Sequence, residues 1–127
     1  MSLTILVIED NEQNLYLTTF LLEKHGYRVV HARDGQEGIA LAVQVNPTLI
    51  LLDIQLPIMD GYTVAEALRS NPVLTAIPIV AITSYAMPGD RERILTAGCT
   101  GYIEKPINPD TFISEVQQHL LTPKVTL

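Results

Sequence analysis

At 127 residues the chain has room for one domain and not for two. Its 47% hydrophobic residues allow an unaided core, while 14 acidic residues against 8 basic ones, a net charge of −6 with no Lys or Arg cluster, exclude the basic face that tight nucleic-acid binding needs. The single Cys99, read as a small buried residue, excludes an intramolecular disulfide, and no apolar run approaches the length of a membrane span.

The first expected element is the strand Leu3-Thr4-Ile5-Leu6-Val7-Ile8, ending at Glu9-Asp10. Asn11 is a good helix N-cap, Leu17, Phe20 and Leu21 follow at helical spacing, and Gly26 ends that helix. Residues 27–32 read as a second strand, closed by Asp34-Gly35. Ile39, Ala42 and Val43 mark a second helix, stopped near Asn46-Pro47. Residues 48–53 form a third strand, in which an apolar run stops at Asp53. A loop with Pro57 and Gly61 follows, then a helix marked by Val64, Ala67 and Leu68. Residues 78–83 make a fourth strand and residues 91–97 a helix with a thin apolar face. Residues 101–104 are a short fifth strand. Pro109, with Asn108 before it, suits the first turn of a last helix whose buried stripe is Phe112, Val116 and Leu120. Residues 122–127 look like a short tail.

Strand and helix alternate five times, and the strands are nearly continuous apolar runs. That pattern implies an α/β fold with a parallel sheet covered on both faces. Right-handed crossovers make it doubly wound. All strands then point one way, so the ends of the first, third, fourth and fifth share one edge. Glu9, Asp10, Asp53, Thr83 and Lys105 are brought to that edge, where ligands bind in open α/β sheets.

Three carboxylates meeting at a point repel each other, and a hard divalent cation would stabilise them. Asp10 and Asp53 are the expected direct ligands of Mg²⁺ (or Mn²⁺), and the longer Glu9 acts through water. Lys105, on a stiff Lys105-Pro106 step, would pair with Asp53 or with a phosphoryl group on it. The Thr83 hydroxyl would hydrogen-bond a phosphoryl oxygen. Each feature has a plainer reading alone: a helix-start acidic pair, a turn-capping aspartate, a surface lysine, a β-branched strand residue. Together they describe phosphoryl transfer to a carboxylate, with Asp53 as the nucleophile.

This set, with the Leu56-Pro57-…-Asp60-Gly61 loop and the Gly98-…-Gly101-Tyr102 segment, resembles the response-regulator receiver domain of two-component signalling, from about Leu3 to Leu121. The resemblance implies a flavodoxin-like sandwich with strand order 2-1-3-4-5. It implies that a histidine kinase or a histidine phosphotransfer protein delivers a phosphoryl group to Asp53, with the backbone carbonyl of Gln55 as a further metal ligand. It also implies a Lys105-Pro106 cis peptide, a shift of Thr83 toward the phosphate and an inward move of Tyr102. The surface of the fourth helix, fifth strand and fifth helix would then change shape and meet a downstream protein. Gln55 and Tyr85 fall at positions that tune phosphate lifetime in this family, and a bulky Tyr85 predicts slow self-dephosphorylation.

Other readings remain at this stage. The chain could be a receiver cut from a hybrid kinase or larger regulator, or an interaction module that works without phosphorylation. A cofactor-binding enzyme is disfavoured because no glycine-rich phosphate loop occurs. An aspartate-based phosphatase would want an acid where Gln55 stands. His25, His31 and His119 show no catalytic or metal-like spacing. The expectation is a stand-alone cytoplasmic receiver, monomeric or dimerising on phosphorylation, contacting neither nucleic acid nor membrane.

Overall fold

The computed structural model describes residues 3–84 and 87–121. In chain order its elements are β1 (Thr4–Ile8), α1 (Glu12–Lys24), β2 (Arg28–Ala32), α2 (Gly35–Val45), β3 (Leu49–Asp53), α3 (Gly61–Ser70), a 3₁₀ turn (Pro72–Leu74), β4 (Ile79–Thr83), α4 (Pro88–Thr96), β5 (Gly101–Glu104) and α5 (Phe112–Leu121). The strands form one parallel sheet in the order β2-β1-β3-β4-β5. The expected doubly wound α/β fold is therefore present. Four strands begin one residue later than the sequence pattern suggested.

Strand alternation divides the core. Ile5 and Val7, Leu49 and Leu51, Val80 and Ile82, and Ile103 face α1 and α5, where Leu15, Leu22, Phe112 and Val116 meet them. Leu6 and Ile8, Ile50 and Leu52, and Ile79 and Ala81 face the other layer, against Ala42, Val64, Leu68 and Ile94. A continuous apolar strand is the signature of burial on both faces.

The caps explain where the helices start. Asn11, Asp34 and Asp60 each accept a hydrogen bond from the amide three residues on, at 2.8 to 2.9 Å. Two expectations about helix ends are corrected. The fourth helix starts at Pro88, not near Arg91, because proline suits the first turn and Asp90 accepts the Met87 amide at 3.3 Å. The last regular helix starts at Phe112, not at Pro109. Asn108 instead folds residues 109–111 into a turn, accepting the Asp110 amide at 2.9 Å through its side chain. Two expected core positions, Phe20 and Val43, are exposed. Phe20 stacks on Tyr16 with 6.4 Å between ring centroids, on the outer face of α1.

Candidate functional site

The carboxyl ends of β1, β3, β4 and β5 form one edge, and the chemistry collects there. Asp53 is the last residue of β3 and is 2% exposed. Glu9 follows β1 and is also buried, while Asp10 is exposed. Glu9, Asp10 and Asp53 each bring one carboxylate oxygen within 4.8 Å of the others.

Lys105 reaches this trio from the end of β5. Its Nζ donates to Asp53 Oδ1 at 3.0 Å, and the pair is largely shielded from water. The Lys105-Pro106 peptide is cis. The Lys105 amide donates to the Thr83 carbonyl at 2.9 Å, so the ends of β4 and β5 are tied together. Thr83 is fully buried at the end of β4. The Gln55 amide donates to Asp53 Oδ1 at 2.9 Å, a contact that no local pattern announces. Both donors hold one carboxylate in a fixed orientation.

Burial pushes the Glu9 carboxyl up to about 8, and hydrogen bonding to Asp53 and repulsion from its charge act the same way. The Asn11 amide and the Lys105 ammonium oppose this without cancelling it. The trio thus carries more negative charge than its own donors offset. Its hard oxygen ligands suit a small divalent cation of the Mg²⁺ class.

The other expected site residues lie as follows. Tyr102 is half-buried in β5, paired with Ala81, below the sheet edge. Tyr85 lies outside the described residues. The sequence reading did not single out two arginines of α4. Arg91 lies over the Tyr102 ring at 5.4 Å, and Arg93 lies over the Tyr62 ring of α3 at 3.9 Å. A short helix with arginines beside partner tyrosines is a weak cue, since nothing local says which ring each will find. Cys99 is buried and its thiol is raised to about 11 by desolvation, so it is a packing residue. His119 packs against Gly101, away from the edge.

Residues 5–117 match the response regulator receiver domain. The chain belongs to that family. It is 42% identical over 120 residues to the polar-differentiation response regulator DivK of Brucella ovis, covering 94% of this chain and 98% of that one. The chemotaxis protein CheY4 of Vibrio cholerae superposes with a TM-score of 0.90 at 27% identity, over 94% of this chain and 99% of that one. The receiver domain of the sensor histidine kinase PA1611 from Pseudomonas aeruginosa gives 0.86 at 32% identity, over 94% and 98%, and was solved with a magnesium ion in its active-site cleft. This chain is thus a receiver of two-component signalling rather than a conventional enzyme. Receivers bind Mg²⁺ at an acidic site and work with histidine kinases and downstream targets, and this chain carries an acidic trio. Among the described residues no helix is long and apolar enough to cross a membrane.

Proposed function

We propose that Asp53 is the phosphoacceptor of this receiver. The observation that carries the reading is a single buried carboxylate held by Lys105 at 3.0 Å and by the Gln55 amide at 2.9 Å, beside two further carboxylates. A carboxylate oxygen of Asp53 attacks the phosphorus of a phosphohistidine on a kinase or phosphotransfer protein. The P–N bond breaks, its electron pair stays on the imidazole nitrogen, and a P–O bond to Asp53 forms. Asp10, Asp53 and the Gln55 carbonyl would hold the metal directly, with Glu9 beside them. Bound Mg²⁺ supplies positive charge against the acidic trio and the phosphoryl oxygens. Lys105 pairs with the same charge, and the Thr83 hydroxyl donates a hydrogen bond to a phosphoryl oxygen.

The added charge, close to −2 at neutral pH, then biases a two-state surface. Thr83 shifts toward it and Tyr102 follows inward. The face of α4, β5 and α5 meets the downstream protein. Gln55 and Tyr85 tune the lifetime of the phosphate, with slow self-dephosphorylation expected. Tyr85→Ala should lose phosphate faster, and an unchanged or slower loss would overturn that role.

The decisive experiment is an intact-mass measurement after adding acetyl phosphate and Mg²⁺, with Asp53→Asn and an EDTA sample alongside. One phosphoryl group gained by the wild type alone, and only with metal, is expected. A gain in Asp53→Asn, or none in wild type from acetyl phosphate or from any kinase, would overturn the reading.

A further inference from the structure

The loop leaving Asp53 carries a feature the fold itself does not use. Ile58 is fully exposed, the most exposed large apolar side chain among the described residues, and its φ is +68°. The Met59 amide donates to the Pro57 carbonyl at 2.7 Å across it. A bond between residues two apart, about a residue of positive φ, is the rare and strained form of the tight three-residue turn. A β-branched side chain is an outlier there, where glycine or asparagine is comfortable. Ile58 therefore strains the backbone and packs on no core in return.

The surrounding loop holds this residue in place. The Ile54 amide donates to the Ile82 carbonyl at 3.1 Å, and the Gly61 amide returns to the Ile54 carbonyl at 2.9 Å. A Cβ on Gly61 would lie 2.4 Å from Ile54 Cα and 2.7 Å from the Asp53 carbonyl oxygen, so the loop closes directly onto the acceptor residue. Ile54 and Leu56 anchor it in the core. Pro57 beside Ile58 is exposed and Met59 is half-buried, which makes the loop tip an apolar crest.

We propose that Ile58 is a preset apolar contact for the protein that delivers the phosphoryl group, and that it helps select that donor. The inference rests on the phosphoacceptor reading of Asp53. The occupant follows from position. A protein presenting a phosphohistidine to Asp53 must lay its surface over this sheet edge, and the crest stands on the loop that closes onto Asp53. A small donor enters without touching it. An aliphatic side chain carried on a backbone turn that is already closed by the Met59–Pro57 hydrogen bond is an efficient anchor in a matching apolar hollow.

The test compares wild type, Ile58→Asn and Ile58→Leu. Two donors are used: acetyl phosphate with Mg²⁺, and the histidine kinase that best phosphorylates the wild type when the autophosphorylated kinases of its genome are profiled against it. Ile58→Asn should melt no lower than wild type and take phosphate from acetyl phosphate at the wild-type rate. Its kcat/KM for transfer from the kinase should fall about tenfold, as for loss of one apolar anchor. Ile58→Leu should stay near wild type with both donors. Equal transfer from the kinase to wild type and Ile58→Asn would overturn the inference and leave Asp53 as acceptor, and so would a loss of equal size with acetyl phosphate. No labelling of wild type by either donor would instead remove the reading beneath it.

Discussion

Lys105 Nζ stands 3.0 Å from Asp53 Oδ1 although the two residues are 52 apart in the chain. The pair sets one ammonium against three converging carboxylates. The two ends of the contact should therefore respond oppositely to truncation. Lys105→Ala leaves the acidic trio without its cation and should lower the stability of the metal-free protein at neutral pH. Asp53→Asn removes one charge from the trio and should raise it, by on the order of 1 kcal/mol. Urea unfolding of both variants in EDTA checks the signs. Shifts in the same direction would mean that packing, not charge, governs the edge.

Lys105→Ala should still acquire phosphate, with weakened transmission to the surface. Amide chemical-shift changes in α4, β5 and α5 on phosphorylation would be reduced relative to wild type. A normal response in the variant would assign the coupling to other groups.

The raised Glu9 carboxyl makes a pH prediction with a definite sign. Its affinity for the proton moves from the ordinary 4.5 to about 8 in the fold. Between those values the folded state holds a proton that the unfolded state has lost. The contribution is fully present below about 4.5 and is lost as pH rises through about 8. Without metal, Glu9→Gln should therefore melt with a flatter pH dependence than wild type across that window. Metal binding has to displace the proton, so the Tm gain given by Mg²⁺ should grow from about pH 6 to about pH 8. A Mg²⁺ gain independent of pH would show that Glu9 is already ionised.

Gly61→Ala tests the closure of the loop on the acceptor residue. The added Cβ meets backbone, not a flexible side chain, at 2.4 and 2.7 Å. Something must move, and a loss of about 1–3 kcal/mol is expected in urea unfolding. Phosphate uptake should fall as well, because the displaced atoms include the carbonyl of Asp53. Gly89, where a Cβ meets nothing, is the control.

Helix α4 buries Ile94 alone within its span, so its stacked arginines matter. Arg93→Ala and Tyr62→Ala should each loosen α4 and raise its amide exchange. A double-mutant cycle should return a coupling of about 0.5–2 kcal/mol. A coupling near zero would make the 3.9 Å stack incidental.

Much of this protein was legible in the residues themselves. Five apolar runs separated by amphipathic segments dictate a parallel sheet, because only strands covered on both faces can be apolar throughout. Parallel strands send their carboxyl ends to one edge, and that topological fact gathers Glu9, Asp10, Asp53, Thr83 and Lys105 from across the chain. The cap at Asn11 was legible too, and those at Asp34 and Asp60, which the pattern alone did not assign, are just as local, since the side chain that starts a helix sits three residues from the amide it serves. What local pattern could not supply was set by contacts between distant segments. The exposure of Phe20 depends on how α1 lies on the sheet, and the stacks of Arg91 and Arg93 depend on which rings β5 and α3 present. The Gln55 amide on Asp53, the left-handed turn at Ile58 and the buried state of Glu9 depend on how loops close over the edge. Periodicity reports which face of an element is apolar. Only the packed chain decides how much water each carboxylate loses, and that loss sets the charge the site must hold.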